Sequence, residues 1–440
     1  MATTTRSRAT SLLALLSVVL LLATACSDDG GDDASTETTA AASEDGATTT
    51  TAPADEEPPS ESAAASLRSD LTGLLAEQVY LTGMTVKVGV GGQGSGDPLP
   101  TAYETAALEG ADDLANIIGG AYGAGPGNDF VAAWNDHRQA IVAYGLDGGP
   151  ATAVDTTRDA VLDALGAADE GADFSGVADA MAVSDTAMLS AVDQLTGGQV
   201  GAADDLQAAA ADMSGIGLDL STAISEQIAV EGEVDTPEAA LRSDLTALMQ
   251  ESALLTGFDV MELVQSGGQP TGTGTRATID ENTEALAETI EPDSSASAQE
   301  FADLWSGHID QVENYTIALI NDDAEGIEAA QDAIVTFRDD IGQVLADSYE
   351  GFTREQVAEI LVDHTDSLLA YADALVGEAG DLAEGVEETS EVTDTPSEGP
   401  ELLREAALAA RLAARSLTLG ITAPTVSNPP PEAATTTTEA

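Results

Sequence analysis

Three histidines and two tryptophans are the residues of this chain whose type and spacing point to chemistry. "FVAAWNDHRQAIVAY" (130–144) carries Trp134 and His137, and "FADLWSGHIDQVENY" (301–315) carries Trp305 and His308 at the same spacing. The third histidine, His364, lies in "LVDHTDSLLAY" (361–371). An imidazole is a metal ligand, a proton carrier or a hydrogen-bonding core group, according to its surroundings. Phe130, Trp134, His137, Ile141 and Tyr144 fall on one helix face, and Phe301, Trp305, His308, Val312 and Tyr315 repeat that stripe. His364 shares a stripe with Leu361, Leu368, Tyr371 and Leu375, whose counterpart is Met181, Ser184, Met188, Ala191 and Leu195. A first helix gives Leu67, Leu71, Leu74, Gln78 and Leu81 against Leu241, Leu245, Leu248, Ser252 and Leu255.

Each unit therefore has three apolar stripes, each interrupted by one polar residue. These are Gln78, His137 and Ser184 in the first unit, then Ser252, His308 and His364 in the second. A buried polar group left unpaired costs about 1–3 kcal/mol, so the three positions are expected to meet in one layer. Helix bundles build metal sites from such inward-facing side chains. Two neutral imidazoles with a carboxylate suit zinc or copper. His308 and His364 with Glu251 or Ser252 are thus candidate metal ligands, and His137, Glu77, Gln78 and Ser184 form a degenerate counterpart. Glu251 sits roughly 100° round the helix from its stripe and reaches inward less easily than Ser252. The competing reading is a hydrogen-bonded His-Ser layer that fixes helix register.

The elements that hold these residues come from a duplication. "LRSDLTGLLAEQVYLTG" (67–83) returns as "LRSDLTALMQESALLTG" (241–257), and the Trp-His segments return with it. The copies span roughly 64–230 and 236–425, a period that means tandem domains and not a solenoid. Each reads as about six helices, near 64–88, 101–120, 128–145, 150–168, 176–196 and 200–226 in the first. Thr236-Pro237-Glu238 is a helix start, and "SAQE" (297–300) and "TREQ" (353–356) fit capping boxes. An acidic insert around 377–399 delays the last helix of the second copy to about 400–418. The expected fold class is all-α: two tandem up-and-down helical bundles, each with a four-helix-bundle-like core, between disordered termini.

Composition narrows the function. With 79 acidic against 13 basic residues and a formal charge of −66, the chain lacks the basic footprint of a nucleic-acid binder. The same balance opposes electrostatic attachment to anionic lipid. The Asp pairs have no EF-hand spacing, and "GVGGQGSG" has neither the strand nor the lysine of a P-loop. There is no nucleophile elbow and no cysteine nucleophile, so a noncatalytic binding or structural module is expected. Metal binding through His308 and His364 is the first alternative, and a metal-dependent enzyme the more remote one.

The N-terminus supplies an address. Arg6 and Arg8 precede "SLLALLSVVLLL" (11–22), an apolar run too short for an ordinary spanning helix. "ATAC" (23–26) then resembles a lipobox, departing from its pattern at Ala23, where leucine is preferred. That resemblance implies a signal peptide over 1–25 and a lipid on Cys26, the only cysteine. The protein would then be anchored on the extracellular side of the cell membrane. Residues 26–63 read as an acidic Ser/Thr/Ala linker and 426–440 as a disordered tail.

The repeated unit itself resembles a group of secreted or lipid-anchored bacterial helical proteins. Their unit begins "LxxLLxEHVYL", continues "FxxLWRxHIxxxxxY" and later reads "LLxxHVxxL". Some members carry copper-related names. The resemblance marks His137, His308 and His364 as pattern histidines, with Glu77 and Glu251 beside the first-helix position. This chain departs from the pattern at Gln78, Ser252 and Ser184, each of which replaces a histidine.

Overall fold

The computed structural model describes residues 58–91, 98–269, 273–291, 295–383 and 397–423. Among them all regular structure is helical. A 3₁₀ turn, Pro59–Glu61, leads into the first repeat: α1 (Ala63–Gly91), α2 (Pro98–Tyr122), α3 (Ala124–Asp147), α4 (Ala151–Ala168), α5 (Ser175–Gly197) and α6 (Ala202–Ile228). The second repeat follows as α7 (Pro237–Ser266), α8 (Thr273–Ile290), α9 (Ser295–Ile320) and α10 (Ala324–Ser348). It closes with α11 (Arg354–Ile360), α12 (Val362–Ala383) and α13 (Gly399–Thr422). Helices α11 and α12 are one helix interrupted at Leu361, so each repeat contributes six elements in the same order.

Local chemistry explains the starts. Thr236 accepts a hydrogen bond from the Ala239 amide with Pro237 at the first helical position, and Thr353 and Gln356 form a reciprocal capping box. Ser297 instead lies inside α9, which begins two residues earlier, at Ser295. Helix α12 continues to Ala383, well into the stretch read as an acidic insert. The linker reading is also too long: Pro58–Ser62 folds back, and Ser60 is fully buried. The leader, Cys26 and the 426–440 tail lie outside the described residues.

The two repeats share one core. Helices α1 and α7 pack against each other, and each also packs on helices of its own repeat. Their burial runs all the way round: from Leu71 to Val86 every residue of α1 is buried. A helix apolar or small on every side belongs in the middle of a protein. The second face of α1 and α7 is made of threonines, serines and glycines, which permit close approach. A β-carbon at Gly83 would stand 2.7 Å from Leu206 of α6, and one at the equivalent Gly257 would overlap Leu403 of α13. The buried hydroxyls of Thr82 and Thr256 return to the carbonyls of Gln78 and Ser252, four residues back, and so cost nothing unpaired. One contiguous hydrophobic cluster runs through both copies as a result.

The contact between repeats is reciprocal. Arg68 donates to the Val234 carbonyl at 3.0 Å, and the equivalent Arg242 donates to the Ser60 carbonyl at 2.8 Å. Thr72 of α1 meets Ser243 of α7 at 3.0 Å between hydroxyls. Around this seam the scarce cations gather. Lys87 pairs with Glu262, while Arg404, Arg411 and Arg415 of α13 reach Glu77, Asp70 and Glu61 of the first repeat. With Arg68 and Arg242, six of the thirteen basic residues therefore bridge the copies, in a chain with 79 carboxylates to choose from.

Candidate functional site

In the second repeat the predicted layer is present. Trp305 of α9 donates its indole N–H to Ser252 Oγ of α7 at 2.9 Å. Its ring stacks on His364 of α12, with centroids 5.9 Å apart and planes 16° apart. His308, one turn further along α9, stacks on Phe337 of α10 at 4.5 Å. The two imidazole centroids are 5.8 Å apart. His308 and His364 are 1% and 0% exposed. The break at Leu361 places His364 in the first turn of α12. There Thr365 bonds back to the Leu361 carbonyl and takes the Arg338 Nε–H at 2.7 Å.

Tautomer and charge follow from the contacts. His308 Nδ1 lies 2.6 Å from the Trp305 carbonyl oxygen, which can only accept, so Nδ1 carries the proton and Nε2 presents a lone pair. That Nε2 has no hydrogen-bond partner, while the His364 ring faces the Ala406 backbone of α13 without a close hydrogen bond. Burial, together with the charge His364 would carry, pushes His308 down to about 3. Burial likewise pushes His364 down to about 4. Both rings are neutral at physiological pH, the form in which imidazole binds metals.

Glu251 belongs to a different group. It faces the seam between repeats, where Gln207 of α6 donates to it at 2.6 Å and Asn282 of α8 at 2.9 Å. Burial raises its pKa, and those hydrogen bonds oppose the rise. Tyr80 of α1 is pushed up by burial and by the Glu251 charge. Glu77 makes the corresponding contact in the first repeat, but to a cation: Arg404 Nε at 2.7 Å. The position one residue off the stripe thus faces the seam between the copies. Among the described residues no cluster of three or more histidine, cysteine, aspartate or glutamate side chains is arranged to hold a metal ion.

The first repeat carries the same layer with other chemistry. Trp134 donates to Gln78 Oε1 over a long 3.4 Å, and Ser184 donates to the Ala209 carbonyl at 2.9 Å. His137 is fully engaged, with Nδ1 3.2 Å from the Thr157 hydroxyl and Nε2 3.0 Å from Asp185 Oδ1. Arg158 holds the other Asp185 oxygen at 2.9 Å. Gln78, His137 and Ser184 line one small cavity of about 30 Å³, together with Arg138 and Asp185.

The sequence reading had no place for Asp185, Arg158 or Arg138. Asp185 was hidden because it stands next to the stripe residue Ser184 and is reached by an arginine from another helix. Among family models, curated proteins and solved structures, none matches this chain.

Proposed function

We propose that this chain is a noncatalytic helical module, carried on the outer face of the cell membrane by a lipid on Cys26, that binds or supports a partner there. The observation behind the noncatalytic part is the sealing of its chemistry-bearing residues. His137, His308, His364 and Trp305 are each no more than 5% exposed. A groove of about 540 Å³ between α11 and α13 is open, but Phe352, Ile360, Leu419, Glu355 and Glu359 line it without a histidine. No helix among the described residues is long and apolar enough to cross a membrane. The lipid reading therefore carries the localisation, and cell fractionation tests it. Wild type is expected in the membrane fraction with a diacylglyceryl mass on a peptide beginning at Cys26, and Cys26→Ser without that mass and with its leader uncut. A wild-type N-terminal peptide free of lipid would remove the anchor.

A second reading rests on the unpartnered Nε2 of His308 and the neutral His364 ring 5.8 Å away between centroids: a zinc or copper ion held between two neutral imidazoles. Glu251 does not complete that set, so the two imidazoles would hold the ion on their own. Zn(II) and Cu(I) titration of the full chain decides it. The His308→Leu/His364→Leu double variant should bind far more weakly, since losing a ligand must exceed the roughly 10–100-fold cost of losing a ligand's hydrogen-bond partner. Equal binding by the two proteins would end the metal reading and leave the pair as core.

A further inference from the structure

The repeats differ at one buried position beside the histidine layer. Arg138 follows His137 where Ile309 follows His308, and both side chains are buried, 3% and 0% exposed. Nε, Nη1 and Nη2 of Arg138 are all shielded from solvent, and none has a hydrogen-bond partner. Every other lysine and arginine among the described residues has a carboxylate within 4.0 Å. A guanidinium cannot shed its proton, and an unpaired ion in the interior costs several kcal/mol. In a chain with 79 acidic residues the missing partner is a feature of this place, not a shortage of carboxylates.

The cavity that Arg138 lines shows what is left to pair. Asp185 is spent on Arg158 and His137, and Ser184 on the Ala209 carbonyl. Glu104 of α2 is close enough to favour the charged guanidinium but forms no ion pair with it, and accepts the Gln139 amide instead. Gln78 gives its oxygen to Trp134, and its Nε2 lies against Gly110 of α2. The unspent charge on the cavity is thus the Arg138 guanidinium. The cavity's 30 Å³ exceeds the roughly 10–15 Å³ that one water needs, so there is room for one small ion.

We propose that the first repeat binds a halide-sized inorganic anion in this cavity, with the Arg138 guanidinium as its counter-charge. Water would supply a lone pair but no charge. An anion supplies both. The inference concerns the repeat without the histidine pair and stands whether or not the second repeat takes a metal.

Two measurements on the full chain test it. Crystals grown in bromide should show an anomalous peak within hydrogen-bonding distance of the Arg138 guanidinium. Melting in chloride, against gluconate at equal ionic strength, should show a chloride-specific rise on the order of 2 °C once the site is well occupied. Arg138→Ile, which restores the residue that the second repeat accommodates, should abolish that rise. Water alone in the bromide crystals, or a chloride-specific rise that persists in Arg138→Ile, would overturn the proposal.

Discussion

Arg404→Ala is expected to destabilise the chain by about 3–5 kcal/mol, the usual consequence of leaving a buried charge without its partner. Glu77, whose side chain is 3% exposed, loses in that variant the one cation paired with it among the described residues. Glu109 and Asp113, which share the same guanidinium, are then left as a cluster of like charges. Urea denaturation followed by circular dichroism measures the loss. A change below about 1 kcal/mol, the range of a surface pair, would show that the seam is wetter than the geometry indicates. Adding Glu77→Gln should recover part of the loss, because the two side chains are coupled and their effects do not add. Both proteins should melt in one transition, since the repeats share one core and neither keeps α1 or α7 covered alone.

Acid should weaken the protein through its second repeat. His308 and His364 are held near 3 and 4, below the ordinary value of about 6.5. As pH falls, the unfolded chain therefore takes up these two protons before the folded one does. Their contribution is unchanged above about pH 6.5 and is lost through the window down to about 4 and 3. The slope is about 1.4 kcal/mol per pH unit for each ring. Asp259 acts in the opposite sense: burial and its neighbours Glu313 and Glu262 push it up to about 7, so the folded state protonates first and gains stability below that pH. The histidine effect is isolated by comparison with His308→Leu/His364→Leu. Between pH 6 and 5 the wild type should lose roughly 2–3 kcal/mol relative to the double variant. Parallel stability curves would show that the rings are charged or solvated in the folded state.

The histidine layer was legible because it obeys helical periodicity. Phe301, Trp305 and His308 announce one inward face, and the structure places that face against Ser252 and His364. The place of Glu251 was not legible, because a stripe describes one buried face and α7 has several. Its off-stripe position suggests a ligand that reaches inward poorly, whereas it faces the seam, bonded to Gln207 of the other copy and Asn282 of its own. The seam did leave a signal in the sequence. Arg404, Arg411 and Arg415 are spaced seven and four, on one face of the last helix, in a chain with few cations. Arg68 and Arg242, identical in both copies, marked the same surface. No periodicity argument could reach Asp185 or Arg138, since their meaning depends on which side chains another helix brings up to them.

The reciprocal pair formed by Arg68 and Arg242 has a consequence for how this molecule varies. Two-fold contacts of this kind are those of a homodimer, in which one surface meets its own copy. In a homodimer every substitution is made twice, so any residue placed beside one Trp-His layer also appears beside the other. Joining the halves in one chain removes that coupling. Position 138 can then become cationic while 309 stays aliphatic, and 364 can hold an imidazole opposite a serine at 184. One inherited interface keeps the halves together while two interiors, built to one plan, diverge.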